Sequence, residues 1–131
     1  MRDLHYFLDI EVTRSSSCKY IRDLLGRTNL ANAKSVHTPM INASILAKDD
    51  GDHLDDPTEY RSLTGAFQYV VLTQSDIAYV VNRVCQFIHA PTTIHLVALK
   101  RILRYLRGTL NYGLVFRPFD RLSLVAYADA N

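Results

Sequence analysis

Long apolar runs are missing from this sequence. No stretch approaches the ~20 residues that a membrane-spanning helix needs, so a helical membrane span is not expected. Cysteine is scarce. Cys18 and Cys85 are the only thiols among 131 residues and lack the paired spacing of a zinc site or a redox motif, which excludes a disulfide framework as well. They read as buried free thiols of a reducing compartment. The N-terminus has no charged-then-apolar leader pattern. The expectation is an intracellular chain, cytoplasmic or nuclear and not secreted, with no membrane partner. An excess of one charge sign is also lacking. Fifteen Lys and Arg stand against 13 Asp and Glu, a net of +2, so bulk charge selects no partner.

What is present supports a packed core. The chain is 48% hydrophobic and 21% charged, outside the range of wholesale disorder. Charge is segregated locally. Asp49 to Glu59 holds six acids and no Lys or Arg, while Lys100 to Arg107 holds four bases and no acid. A local basic patch is therefore a better clue to function than the whole-chain sum.

The run His5 to Thr13 is rich in aromatic and β-branched residues and reads as a strand, but Arg14 to Cys18 supplies no return strand. Lys19 to Arg27 places Tyr20, Ile21, Leu24 and Leu25 at helical spacing, closed by Gly26 or by the turn-rich residues after it. Thr28 to Asp56 is weakly patterned and reads as a surface connection. Asp56-Pro57-Thr58-Glu59 then combines a cap, a proline at the first helical position and a carboxylate at the third, predicting a helix to about Leu72 that buries Leu63, Phe67, Val70 and Val71. Thr73 with Asp76 starts a second helix through His89, broken at Pro91. Thr92 or Thr93 starts a third, to Arg107, with Leu96, Leu99, Ile102, Leu103 and Leu106 on its apolar side and Gly108 as its stop. Three capped amphipathic helices on short loops imply an antiparallel bundle. Tyr112 to Phe116 and Leu122 to Ala128 read as two further strands.

Tyr60-Arg61-Ser62-Leu63-Thr64-Gly65-Ala66-Phe67-Gln68-Tyr69, Asp76-Ile77, and His95 followed by the run Ala98 to Thr109 stand in an order and spacing over about fifty residues that resemble the Pol polyprotein of copia-type LTR retrotransposons. Tyr6 to Val12 resembles that family's primer-grip hairpin, through Phe7, Leu8 and Ile10. Lys19 to Leu25 and Thr38-Pro39-Met40 resemble the entry to its thumb, and Tyr127-Ala128-Asp129-Ala130-Asn131 the end of its first RNase H strand. The sequence departs from the family at Asp9, usually glycine, between Thr13 and Lys19, where a longer turn and a return strand are usual, at Gln74-Ser75, usually Arg-Pro, and at Asn131, where aspartate is common.

The resemblance implies an α+β, mainly α fold: a three-helix antiparallel thumb-like bundle, preceded by a strand and short helix and followed by a β-hairpin from an RNase H-like sheet. It divides the chain into a primer-grip-like strand, short helix and polar linker (1–56), a thumb/connection-like bundle (57–109) and the truncated start of an RNase H-like domain (110–131). It implies a part of a reverse transcriptase that contacts template-primer, with a parent polyprotein that is an RNA-directed DNA polymerase with RNase H activity and uses Mg²⁺.

Polymerase chemistry needs carboxylates that hold two metal ions. The family's Tyr-x-Asp-Asp turn does not occur here. Asp49-Asp50 and Asp55-Asp56 read as a solvated loop and a helix cap, and Asp129, by resemblance the first RNase H carboxylate, cannot hold a two-metal centre alone. No catalytic set, metal or cofactor is expected in this chain, and no small-molecule substrate. Lys100, Arg104 and Arg107, spaced by four and three with Arg101 beside them, fall on one helical face. Such a face is either a solvated surface or a weak, non-specific contact to the backbone of an RNA–DNA or DNA duplex. His95 reads as a packing or capping residue, and Tyr60, Tyr69, Tyr79 and Tyr105 as core or core-edge. The alternative to a template-contacting part of Pol is a decayed element remnant, either a small helical interaction module or without function.

Overall fold

A helix starts in space where Asp56 to Glu59 predict one, shifted by one residue, with Pro57 as the cap and Thr58 as the first helical position. In the computed structural model, which describes residues 6–7, 10–11, 19–41, 46–48 and 50–112, the Asp56 carboxylate accepts from the Thr58 amide at 3.0 Å. The Arg61 amide reaches the Pro57 carbonyl at 3.0 Å to close the first turn. These hydrogen bonds from Thr58 hold the Asp56 carboxyl below the usual carboxylate range, because they favour its charged form. The helix, α2, spans Thr58–Val70.

It is one of four helices among the described residues. α1 spans Lys19–Arg27, α3 spans Ala78–Cys85 after a 3₁₀ turn at Ser75–Ile77, and α4 spans Thr93–Gly108. α2, α3 and α4 pack against one another and α1 lies on α4. Their shared core holds Ile21, Leu24 and Leu25 of α1, Leu63, Phe67 and Val70 of α2, Val80, Val81 and Val84 of α3, and Leu99, Ile102, Leu103 and Leu106 of α4. The apolar spacing read from the sequence thus faces inward, and the described chain is mainly helical. No described helix is long and apolar enough to cross a membrane.

Several details differ from the sequence reading. The segment from His5 to Thr13 contains two short strands rather than one: β1, Tyr6–Phe7, pairs antiparallel with β2, Ile10–Glu11, with Phe7 opposite Ile10. The missing partner strand is the second half of the same segment. No Asn-Gly or Asp-Gly pair announced such a hairpin.

Of the two stops read for α1, Gly26 or the turn-rich residues after it, the second holds, at Asn29. Asn29 adopts φ 57°, and the Leu30 and Asn29 amides bond the Leu25 and Gly26 carbonyls at 3.0 and 3.2 Å, the two bonds of a Schellman motif.

α3 ends at Cys85, four residues short of His89. Arg61 draws the carbonyls of Ile88 and His89 to its Nε and Nη2, at 3.2 and 3.4 Å, and the residue before Pro91 disfavours helix. Tyr60 is fully buried in the core and donates its hydroxyl to the Val84 carbonyl at 2.6 Å. Burial drives its ionisation far above the usual tyrosine value, which makes it a packing residue with a satisfied polar tip.

The long connection before α2 lies on the surface, yet it is tied down at two places. Residues 50–54 run beside the start of α4: the Leu54 amide donates to the Pro91 carbonyl at 3.0 Å and the Thr93 amide to the Asp52 carbonyl at 2.9 Å, around a bridge between His53 and Thr92. Leu46 is buried in the core cluster. The two strands predicted after Tyr112 lie outside the described residues.

Candidate nucleic-acid interface

α4 carries the basic stripe, and its amphipathic register decides where the charges go. With Leu99, Ile102, Leu103 and Leu106 fully buried, Lys100, Arg101, Arg104 and Arg107 fall on the outward side, each half-buried rather than free in solvent. Long cationic side chains lay their methylene stems on the helix and keep the head polar.

The four are not equivalent. Arg107 donates from Nε to the Ala31 carbonyl at 2.7 Å, and Arg101 donates from Nη2 to the Thr38 hydroxyl at 2.9 Å. Both bonds reach the connecting segment, so residues 31–38 form a strap along the C-terminal half of α4. Gly108 belongs to this contact. A Cβ there would meet the Ser35 Cβ at 3.1 Å, so the glycine admits the strap rather than capping the helix. Lys100 and Arg104, one turn apart, make no hydrogen bond or ion pair among the described residues, and they are the cations available to a phosphate backbone. Toward the helix start the same outward face is apolar, with Ile94 and Val97 exposed at 44% and 60%.

His95 is a structural residue of unusual completeness. Its ring is fully buried and stacked on Phe87 with centroids 3.9 Å apart. Nδ1 accepts from the Thr92 amide at 3.0 Å and Nε2 faces the Ala47 carbonyl at 3.0 Å. An amide only donates and a carbonyl only accepts, so the hydrogen is on Nε2. With Thr92 it forms a capping box, doing there what Glu or Gln does elsewhere.

Among the tyrosines, Tyr69 is half-buried and packs edge-on with Tyr20 at 4.7 Å. Tyr79 departs from the core reading and is 69% exposed, because its place on α3 is opposite Val80, Val81 and Val84. Tyr105 donates to the Asp76 carboxylate, which raises the ionisation of its phenol. These two line an open cleft with Thr73, Thr109 and Tyr112, beside which Gln74 donates to the Tyr112 carbonyl at 2.5 Å. One carboxylate already engaged by a phenol is no metal site.

Among the described residues no three His, Cys, Asp or Glu side chains converge in a way that holds a metal ion, so they do not fit the Mg²⁺ of a polymerase or nuclease centre. Asp50 accepts from the Ala47 amide at 3.4 Å and Asp56 caps α2, so these acids serve a turn and a helix start. Cys85 is half-buried, with the Gln68 amide 3.7 Å from its sulfur. Cys18, Leu8, Asp49 and Asp129 lie outside the described residues, and of Phe7 and Ile10 only the backbone pairing is described.

Sequence reasoning missed the strap. His95, read as a packing or capping residue, is both, and Thr92 three residues before it carries the cap. For the strap the one clue was a glycine at the last turn of a helix.

No protein-family model matches the chain, and no solved structure does. Curated relatives do. The chain is 51% identical over 135 residues to the retrovirus-related Pol polyprotein from transposon RE1 of Arabidopsis thaliana and 47% identical to that from transposon RE2 of the same plant, each match covering 98% of this chain and 9% of the polyprotein. It is 36% identical over its whole length to an uncharacterised Arabidopsis mitochondrial protein, AtMg00810, of which it covers 58%. By this identity, nearly the full length of the chain is homologous to one short stretch of the retrovirus-related Pol polyproteins of copia-type transposons.

Proposed function

We propose that this chain is a non-catalytic, thumb-connection part of a retroelement reverse transcriptase, which touches the backbone of a template-primer duplex through one face of α4. The observation that carries this reading is the pair Lys100 and Arg104. They stand one turn apart on a helix whose opposite side is fully buried, and both are without a partner among the described residues. Two cations one turn apart on a rigid rod are spaced to meet phosphates without reading bases. Arg101 and Arg107 support the face from the side by holding the strap. The metal-dependent chemistry of the parent polyprotein, RNA-directed DNA synthesis and RNase H cleavage, then belongs to other residues.

A salt titration of binding to an RNA–DNA hybrid tests the reading. Changing Lys100 and Arg104 to alanine is expected to flatten the plot of log affinity against log salt by roughly 1.8 in slope, since each phosphate contact contributes about 0.9. Identical slopes for the wild type and the double variant, or binding by neither, would remove it.

A second reading, a small helical interaction module left by a decayed element, is favoured by the exposed Ile94 and Val97 on the same face. A pair of exposed apolar residues one turn apart is what a protein surface, and not a phosphate backbone, would cover. Binding that is insensitive to salt and lost with Val97→Asp would select it.

A further inference from the structure

The strap and α4 together make an anion receiver with no anion of its own. Neither residues 28–41 nor α4 contains an Asp or Glu, although they bring together Lys34, Lys100, Arg101, Arg104 and Arg107. At their junction stands Thr38, exposed and outside any helix or strand. Pro39 follows it and biases Thr38 toward extended backbone, the form in which proline-directed Ser/Thr protein kinases take a Thr-Pro dipeptide.

The chemistry at Arg101 is incomplete. Its Nη2 donates to the Thr38 Oγ1 at 2.9 Å, while its Nε is buried and has no hydrogen-bond partner among the described residues. Nε and Nη2 form the side-on edge of the guanidinium, which is shaped for two parallel bonds to two oxygens. A hydroxyl supplies one acceptor to that edge. A phosphate ester on the same Oγ1 supplies three more oxygens on a flexible bond, and two charges that a buried donor and its cationic neighbours lack.

We propose that Thr38 is a phosphorylation site whose phosphate is received by the Nε/Nη2 edge of Arg101. In the transfer, Thr38 Oγ1 attacks the γ-phosphorus of ATP, the Oγ1–P bond forms and the bond to the β-bridging oxygen breaks. ADP leaves, and the hydroxyl proton passes to the kinase's base. The product fastens the strap to α4 and lowers the charge of the basic face by about two. This inference stands on the strap geometry and does not depend on nucleic-acid binding.

The test uses the full chain, ATP and a proline-directed Ser/Thr kinase, with the modified residue located by tandem mass spectrometry. Thr38 is expected to carry the phosphate, the Arg101 Nε–H resonance to move downfield, and the unfolding midpoint to rise by roughly 5 °C. Arg101→Lys keeps the charge and loses the side-on edge. Phosphorylated at Thr38, it is expected to gain less than half that rise. Inorganic phosphate added to the unmodified chain is expected to leave the resonance in place. The proposal is overturned if a peptide of residues 31–41 is phosphorylated while Thr38 in the folded chain is not. It is also overturned if phosphorylated Thr38 leaves the Arg101 resonance unmoved or lowers the midpoint, or if free phosphate produces the same shift.

Discussion

The two ends of α4 are held by the same preceding connection in opposite ways. At its start, main-chain groups of Ala47, Asp52 and Leu54 are fastened: the Leu54 amide to Pro91, the Asp52 carbonyl to Thr93, and the Ala47 carbonyl to the ring of a buried His95. Along its C-terminal half, residues 31–38 are fastened by two arginine side chains on the surface. The first attachment is made largely by exposed residues but is anchored on the buried Leu46, Thr92 and His95. The second has no such anchor, and water replaces each lost surface bond at small cost. The first is therefore expected to hold as long as the core does, and the second to open more easily.

The largest expected effect comes from removing the anchored attachment. His95→Ala leaves the buried Thr92 amide without its acceptor, cuts the tie to the Ala47 carbonyl and opens a void beside Phe87. Urea denaturation is expected to show a loss of about 3 kcal/mol, and His95→Gln, which restores an acceptor at the capping position, to recover part of it. Full stability in His95→Ala would mean that the latch is not part of the core.

Gly51→Ala comes next. Gly51 has φ +79°, and a Cβ there would approach Ile94 Cγ1 to 2.7 Å and Thr93 Oγ1 to 2.8 Å. Backbone strain and overlap together predict a loss of ~2 kcal/mol in the same assay.

Arg107→Ala probes the other end. A half-exposed hydrogen bond to the Ala31 carbonyl is worth about 1 kcal/mol or less. Amide exchange is expected to speed up across residues 31–38 and to stay unchanged at Leu54 and Thr93. Uniform acceleration at both places would erase the distinction between the two attachments.

The smallest effect concerns Asp56, where the connection passes into α2. Its folded-state carboxyl titrates below the unfolded one, so its contribution is present above the ordinary aspartate value of about 3.9 and is lost as pH falls through the depressed value. Asp56→Asn is expected to reduce the pH dependence of the unfolding midpoint on that acid limb and to leave it unchanged near neutrality.

How much of this was legible follows from the range of the interactions. Asp56-Pro57-Thr58-Glu59 marked the start of α2 to within one residue, with Pro57 at the cap rather than at the first helical position, because start signals act over three residues. The stripe from Leu99 to Leu106 turned inward as read, because helical periodicity alone orients it. Gly108 was read less well, because it answers a strap more than 70 positions earlier in the chain. The stop of α1 was left between Gly26 and the turn residues after it, and an asparagine in a left-handed conformation decides it. The candidate interface was half legible: periodicity put four cations on one face, but nothing local distinguished Arg101 and Arg107, which hold the strap, from Lys100 and Arg104, which hold nothing among the described residues.

The sequence by itself determined where the helices start, which sides of them are apolar and which family the pattern resembles, because each depends on residues within one or two turns or on their linear order. Tertiary structure alone decided that a polar connection is stitched to α4 at two places, that a histidine is buried with both nitrogens engaged, and that Arg101 meets Thr38 with one donor to spare. Those outcomes join residues 48 to 76 positions apart, and contacts at that separation are set by how the helices pack rather than by the local pattern.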